Sequence, residues 1–199
     1  MKPVVVATRN AGKLKEIHAI LGSELDLKSL FDFEDVPDVV ENGDTFEANA
    51  SQKALTASRA TGCVALADDS GLQVDALSGE PGVHSARFAG DHASDTENNA
   101  KLLRLMEGLP KEKRTARFRC VVAVSTPEGT VRTAAGECEG RILEAPKGKG
   151  GFGYDPLFWV PDLGKTLAEV PLEKKNQISH RSRAVQAARP LVKEALHSV

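Results

Sequence analysis

The sequence predicts an α/β fold built on a mixed sheet, and three observations support this class. Strands and helices alternate in the first part of the 199-residue chain, as they do in parallel βαβ units. Later in the chain, two strand-like runs flank the turn at residues 126–129, which is typical of an antiparallel hairpin. The 41% hydrophobic and 27% charged residues suit a globular protein, and the length suits one domain, residues 1–199, with room for two lobes.

In the first half of the chain, the spacing of apolar residues and the capping residues predict the strands and helices. Residues 2–7 predict a buried strand and 8–13 a polar turn, followed by a helix from Leu14 to Leu21 that Gly22 ends. Residues 31–44 predict a loop. Thr45 is predicted to cap a second helix that runs to about Ala60 and stops at Gly62. A buried strand over 63–67 is predicted to deliver Asp68 and Asp69 at its end, and 72–77 to continue as extended chain.

The second half predicts one helix, a hairpin, a glycine-rich loop and a final helix. Ser94 and Glu97 form a capping box after a loop over 78–94, and apolar residues line the helix that follows. The predicted strands are residues 117–125, 130–137 and 139–143. The glycine-rich loop covers 147–156 and precedes an apolar run, 157–160. A last helix is predicted near 178–196, and Pro190 should kink it or split it in two.

Charge and composition exclude several classes of protein. A net charge of -2 argues against a general affinity for nucleic acid or membrane surfaces, which requires a basic excess. The sequence has neither a signal-peptide pattern nor a run near the roughly 18 apolar residues of a membrane span. Three cysteines without a C-x-x-C pair favour reduced thiols in the cytoplasm over a disulfide framework or a zinc site.

A polar segment between the first strand and helix is a candidate phosphate site. It consists of Thr8, Arg9, Asn10, Ala11, Gly12 and Lys13. A helix N-terminus offers unpaired N–H groups and a partial positive charge, and Lys13 adds a full charge. The alternative is a capped turn with a lysine at the surface.

Acidic residues form a candidate metal site. Adjacent carboxylates at Asp68 and Asp69 repel each other unless a cation compensates them, and Mg²⁺ takes one or two carboxylates together with waters and substrate phosphates. Glu41 is a candidate further ligand, and Lys53 lies on a turn of the second helix that can face inward. The alternatives are an Asp-rich turn, acidic residues that favour a helix start, and a solvated lysine.

Two later segments are candidates for binding the nucleoside. Glycines around Phe152, Gly153, Tyr154 and Asp155 let backbone approach a ligand, and an aromatic ring stacks on a base. The segment Ser179–Ser182 opens the last helix after a pair of lysines, and its cations suit a carbonyl oxygen or a phosphate. A flexible connection with core aromatics, and an ordinary capped helix start, are the alternatives.

Taken in order, these segments resemble the inosine triphosphate pyrophosphatase family, also called the house-cleaning dITP/XTP pyrophosphatases. The matching stretches are residues 6–13, 41–46, 67–72, 81–87, 150–156 and 179–181. They span nearly the whole chain in the family's order and spacing, and they look most like the bacterial type.

The resemblance implies two α/β lobes around a long mixed twisted sheet with flanking helices, a nucleotide in the cleft between the lobes, and a homodimer. It also implies Mg²⁺-dependent hydrolysis of ITP, dITP and XTP to a nucleoside monophosphate and pyrophosphate. Residues 8–13 would bind phosphates, Glu41 and Asp69 would hold the metal, and Asp69 would accept a proton. Lys53 and Asp68 are predicted as further catalytic residues. The nucleotide contacts it implies are Ser70, Phe152, Gly153, Tyr154, Asp155, Lys175, His180 and Arg181.

The chain departs from the family at one position of the second helix. Members often have Glu-Asn-Ala there, whereas this chain has Ala48 at the usual acidic position. The neighbouring Glu47 points about 100° away around the helix and does not simply replace it. Arg9 lies where the family pattern is loose, so only its backbone is assigned to the phosphate segment.

Three other functions compete with this prediction. A broader nucleotide phosphatase would release orthophosphate instead of pyrophosphate. A non-catalytic nucleotide-binding protein would lack the carboxylates, which are present. A nucleic-acid-binding domain would use the basic stretch 111–119, but the net charge opposes it and the alternation around Phe118 fits a half-exposed strand.

Overall fold

The computed structural model describes residues 2–22 and 24–198, and within them seven strands form one mixed sheet. The sheet order is β2-β1-β3-β4-β5-β6-β7. The strands are β1 (Val4–Val6), β2 (Leu27–Ser29), β3 (Val64–Val74), β4 (Thr115–Ser125), β5 (Val131–Ile142), β6 (Phe158–Val160) and β7 (Lys165–Thr166). β1 pairs parallel with β2 and β3, whereas β6 pairs antiparallel with β5 and β7. The predicted mixed α/β class is confirmed.

The α-helices of the described residues are α1 (Ala11–Leu21), α2 (Phe46–Thr61), α3 (Asp95–Leu105), α4 (Leu172–Ile178) and α5 (His180–Ser198). Two of the predicted start signals are confirmed, because Thr45 Oγ1 accepts from Ala48 N and Ser94 forms a capping box with Glu97. Gly62 ends α2 in the left-handed conformation that glycine adopts most readily. No helix in the described part of the chain combines the length and apolarity needed to cross a membrane.

The chain forms two compact units, and β3, β4 and β5 contribute residues to both. Unit one comprises the chain through Asp69, Cys120–Gly136, and everything from His180 onward. It buries an apolar core that includes Val6, Ile17, Leu66, Val122 and Val185. Unit two comprises Ser70–Arg119 and Glu137–Ser179. Its core includes Leu72, Leu102, Phe118, Leu157 and Phe158.

The paired aspartates lie within a strand, not at its end as the sequence predicted. β3 runs without interruption from Val64 to Val74, through Asp68, Asp69 and Gly71. Successive side chains of a strand point to opposite faces, so the two carboxylates reach different neighbours. Cationic side chains compensate both carboxylates.

Four other elements differ from the prediction. α1 begins at Ala11, so the second half of the phosphate segment is already helical, and β2 was not predicted. β5 is one strand where two were predicted. The last helix is not split at Pro190, since α5 passes through it and Ala188, Val192 and Ala195 remain buried in the core of unit one. This burial compensates for the hydrogen bond that proline cannot donate.

Candidate active site

The phosphate segment in unit one is organised by two side chains that cap its own backbone. Thr8 Oγ1 accepts from Asn10 N at 3.1 Å, and Asn10 Oδ1 accepts from Lys13 N at 3.0 Å. The first N–H groups of a helix have no acceptor within the helix, so the start of α1 at Ala11 suits an anion. The Arg9 side chain is exposed and bonds Asp38 at 2.7 Å. The guanidinium is therefore paired with a carboxylate outside the phosphate segment.

Asp68 lies at the centre of a buried ionic network. Its Oδ2 is 3.1 Å from Lys13 Nζ and 3.2 Å from Arg181 Nε, and Arg181 also pairs with Glu16. Burial alone would raise the pKa of Asp68, but Lys13 and Arg181 outweigh it and hold that pKa well below its usual range. Arg181 stays charged, because Asp68 and Glu16 raise its pKa against the opposite effect of burial.

Two of the predicted site residues, Asp68 and Arg181, are buried within this network. Asp68 is 1% exposed and Arg181 is 2% exposed, so both side chains are interior groups of unit one. Lys13 keeps 15% of its side chain exposed while its ammonium is held by Asp68. The buried pair therefore orients Lys13 at the start of α1.

A second cluster in unit one joins three more of the predicted site residues. Lys53 Nζ lies 2.7 Å from Glu41 Oε1 and 3.7 Å from Asp69 Oδ1. Burial raises the pKa of Asp69, and Lys53 and Lys13 oppose that rise only in part. Burial would lower the pKa of Lys53, but the surrounding carboxylates raise it overall. The result is a protonated lysine beside a carboxylate of enhanced basicity.

Glu41 and Asp69 have the chemistry that a hard divalent cation requires. Both present carboxylate oxygens to the same ammonium group, so a cation is already favoured at this position. No cluster of three or more His, Cys, Asp or Glu side chains suited to a metal is found in the described ranges, 2–22 and 24–198. Two carboxylates completed by water and substrate phosphates is the usual arrangement for Mg²⁺, so these residues fit it.

In unit two, the glycine-rich loop holds Phe152 by its backbone and by its ring. Asp155 Oδ2 accepts from Phe152 N at 3.0 Å and from Lys175 Nζ at 2.7 Å. The same ammonium lies 4.8 Å from the centre of the Phe152 ring, which is a cation–π contact. Gly151 has a φ of 72°, and a Cβ there would collide with Asp155. The loop therefore needs glycine to place Phe152 over Lys175.

Helix α3 fixes the next residue of the same loop. Gly153 N donates to Asp95 Oδ2 at 2.7 Å, and Gly153 O accepts from Asn99 Nδ2 at 2.9 Å. Asp95 and Asn99 lie one helical turn apart, on the same face. Two side chains thus hold both backbone groups of one glycine, beside the half-buried Phe152.

Tyr154 belongs to the core of unit two. It is 4% exposed, and its hydroxyl donates to Ser85 O at 2.8 Å. Ser85 in turn accepts from Leu72 N at 2.9 Å. Of the two possibilities for this aromatic residue, a base contact and a core position, the structure places its ring in the core.

Tyr154 is the sole tyrosine of the chain, so its ionisation is directly measurable. Burial, with the Asp95 carboxylate, raises the pKa of its phenol well above the ordinary value. We expect ultraviolet difference absorbance to show no phenolate until alkaline unfolding, and the free energy of unfolding to fall as pH rises above about 10, because only the unfolded phenol then ionises. A reversible titration near the ordinary pKa in folded protein would contradict this expectation.

The remaining predicted residues lie on helices α5 and α4 and on strand β3. His180 is 4% exposed and is the first residue of α5, in unit one. A Cβ at Gly136 would collide with the backbone of His180 and Ala184, so β5 approaches this helix closely. Lys175, in α4, is 3% exposed, and Ser70 is half-buried on β3.

Four residues of these clusters were not predicted from the sequence: Glu16, Asn49, Asp95 and Asn99. Asn49 carried a signal, because it lies with Phe46 and Ala50 in the apolar stripe of α2, where a polar residue requires a partner. Glu16 similarly adjoins the buried Ile17. Asp95 and Asn99 gave none, since an acidic first turn and an asparagine are ordinary in a capped helix.

The fold and these side chains define an α/β protein whose charged clusters suit the phosphates of a nucleotide. A helix start with a buried-network lysine, a carboxylate–lysine cluster and an aromatic glycine loop are its distinguishing parts. The chain belongs to the Ham1 family, whose family model matches residues 4–191. The family resemblance found in the sequence is confirmed.

Close relatives cover almost the whole chain. A protein named dITP/XTP pyrophosphatase from Geobacter sulfurreducens is 59% identical over 93% of this chain and 94% of its own length. Another of the same name, from Desulforamulus reducens, is 55% identical over 93% and 92%. The Ham1 protein structure from Coxiella burnetii is 41% identical, with a TM-score of 0.87, and covers 98% of this chain and 100% of that one.

Proposed function

We propose that this protein hydrolyses noncanonical purine nucleoside triphosphates, namely ITP, dITP and XTP, to the monophosphate and pyrophosphate with Mg²⁺. The observation that carries the proposal is the cluster of Lys53 with Glu41 and Asp69, at 2.7 and 3.7 Å, in a chain 59% identical to a dITP/XTP pyrophosphatase. Such hydrolysis keeps deaminated purines out of DNA and RNA. The enzyme is a hydrolase of phosphoanhydride bonds.

The positive groups of unit one would bind the triphosphate. Lys13, held by Asp68, and the N–H groups at the start of α1 would neutralise its charge, with Lys53 alongside. Glu41 and Asp69 would hold Mg²⁺, which would supply further charge compensation and acidify a bound water when present.

Asp69 would accept the proton of the attacking water. The water oxygen bonds to the α-phosphorus, the bond from that phosphorus to the bridging oxygen breaks, and pyrophosphate leaves. A free Asp has a pKa of about 3.9 and is a weak base. Because burial raises the pKa of Asp69, its carboxylate is better matched to this task than an exposed one.

Base selection would depend on the C6 and C2 positions of the purine. ITP and XTP carry a C6 oxygen, so a hydrogen-bond donor from His180, Arg181 or the backbone would favour them over the amine of ATP. The Arg181 guanidinium is committed to Asp68 and Glu16, which favours His180 or a backbone N–H group. GTP shares the C6 oxygen and would be rejected at C2.

Phe152→Ala is expected to raise KM for ITP several-fold, because the variant loses a stacking surface worth about 1–3 kcal/mol per base. The ring lies over Lys175 in the wild type and is only half-buried. Steady-state kinetics with ITP measures the change. Phe31→Ala, at a phenylalanine that is 67% exposed, is the matched control. An unchanged KM in Phe152→Ala would exclude stacking on this ring.

The proposal is tested by assaying pyrophosphate and orthophosphate separately with Mg²⁺ and ITP, XTP, GTP or ATP. We expect pyrophosphate from ITP and XTP and little product from GTP and ATP. Orthophosphate as the product would identify the broader phosphatase instead. A folded protein that releases neither product would be a nucleotide-binding protein without turnover.

We further propose that the protein is a cytoplasmic homodimer without stable nucleic-acid or membrane partners. The dimer follows from the family resemblance, and the location from three cysteines without a disulfide or zinc pattern. Light scattering coupled to size exclusion should give twice the 21.2 kDa chain mass. A monomer at micromolar concentration would contradict the dimer.

A further inference from the structure

Asn49 is a fully buried polar residue within helix α2, and both ends of its amide are engaged. It is 0% exposed. Its Nδ2 donates to Asp69 Oδ2 at 3.0 Å, and its Oδ1 accepts from Gly43 N at 2.8 Å. One side chain thus connects the Asp69 carboxylate on β3 to the segment that carries Glu41.

The orientation of this amide is determined by its two partners. A carboxylate oxygen only accepts hydrogen bonds and a backbone N–H group only donates. Nδ2 must therefore face Asp69, and Oδ1 must face Gly43. With Oδ2 held by Asn49, Asp69 presents Oδ1 to Lys53, the residue that also bonds Glu41.

Gly43 permits the contact. Residues 36–43 form no regular secondary structure, so few backbone bonds hold Glu41 in place. A Cβ at Gly43 would lie 2.7 Å from Asn49 Oδ1 and 2.9 Å from Ala48 Cβ. Gly43 has no positive φ, so its role is the close approach and not an unusual backbone conformation.

Asparagine is a poor choice for helix stability at this position. It has lower helix propensity than its alanine neighbours Ala48 and Ala50, and burying an amide is unfavourable unless both ends are bonded. Its presence among the buried residues Phe46, Ala50 and Ala54 therefore needs a reason outside α2. The two bonds to Asp69 and Gly43 supply that reason.

We infer that Asn49 is a positioning residue that holds Asp69 directly, and Glu41 through Gly43, in one geometry for the divalent cation. The inference rests on the proposed function of these two carboxylates. Groups that orient metal ligands typically contribute about 10–100-fold to metal affinity or activity. Asn49 itself contacts neither the metal nor the substrate in this role.

The test compares Asn49→Leu, an apolar residue of similar volume, with Gly43→Ala, which blocks the approach without changing α2. Ser58→Ala is the matched control, since Ser58 is also 0% exposed on α2 but bonds Ser125 and Thr126 instead. Each variant is measured by hydrogen exchange of the peptide covering residues 36–44, by Mn²⁺ binding in electron paramagnetic resonance, and by the Mg²⁺ dependence of pyrophosphate release.

We expect faster exchange of this peptide in Asn49→Leu and Gly43→Ala, and about 10–100-fold weaker Mn²⁺ binding and Mg²⁺ activation. Ser58→Ala should change none of these. Wild-type exchange and metal affinity in Gly43→Ala would overturn the inference, even if Asn49→Leu failed to fold. Faster exchange with unchanged metal affinity would overturn it as well, because the contacts of Asn49 with Asp69 and Gly43 would then stabilise the fold without positioning the metal ligands.

Failure of the proposed function is distinguishable from failure of this inference. A wild-type protein that releases no pyrophosphate would refute the function, while exchange and Mn²⁺ binding still decide the role of Asn49. A wild-type protein that is active, with Asn49→Leu and Gly43→Ala equal to it in all three measurements, would refute the inference alone.

Discussion

Asp69→Asn is expected to fold normally and to lose roughly two or more orders of magnitude in kcat, the usual scale for removing a general base. The amide keeps an oxygen for the bond from Asn49 Nδ2 but cannot accept the proton of the attacking water. Lys53 retains Glu41 at 2.7 Å, so the cluster should persist. Steady-state pyrophosphate release from ITP, with a melting temperature measured alongside, gives the answer.

Asp75→Asn is the control for this experiment. Asp75 is a partly exposed aspartate of unit two that bonds Thr115 and Arg117. Its variant should keep wild-type turnover. A near-normal kcat in Asp69→Asn would exclude Asp69 as the proton acceptor and leave it at most a metal ligand.

Arg181→Leu is expected to lower the free energy of unfolding by about 3–5 kcal/mol, because it removes the buried guanidinium that pairs with two buried carboxylates. The guanidinium bonds Asp68 Oδ2 at 3.2 Å and also pairs with Glu16, and all three residues are at most 2% exposed. Urea denaturation measures the change. We also expect kcat/KM for ITP to fall. Arg181 holds Asp68, and Asp68 holds the Lys13 ammonium, so the variant should position Lys13 less firmly.

Arg132→Leu is the matched control. Arg132 pairs with Glu194 at 2.7 Å, but both side chains are more than half exposed, so the expected change is only about 0–1 kcal/mol. Adding Glu16→Gln to Arg181→Leu should recover part of the stability, because it removes one of the two buried negative charges that Arg181 compensates. A loss in Arg181→Leu as small as that in Arg132→Leu would show that the network contributes little to stability.

Local signals allowed much of the fold to be predicted from the sequence. Three helix-end signals involve only backbone groups a few residues away: the cap at Thr45, the left-handed Gly62 and the capping box of Ser94. They can therefore be recognised in the sequence without knowledge of the tertiary structure. The continuation of α5 through Pro190 could not be predicted in this way, because a proline inside a helix is tolerated only when burial elsewhere compensates for it. The short edge strand β2 has too few residues to show a pattern.

The α/β class, the family and the segments that hold the candidate site residues could all be predicted from the amino-acid order. The tertiary structure alone separated Asp68 from Asp69, two neighbours of the same type. Asp68 meets Lys13 and Arg181, and its pKa is lowered, whereas burial raises that of Asp69 beside Asn49 and Lys53. A carboxylate takes its charge state and role from burial and nearby charges, and folding brings those from distant parts of the chain.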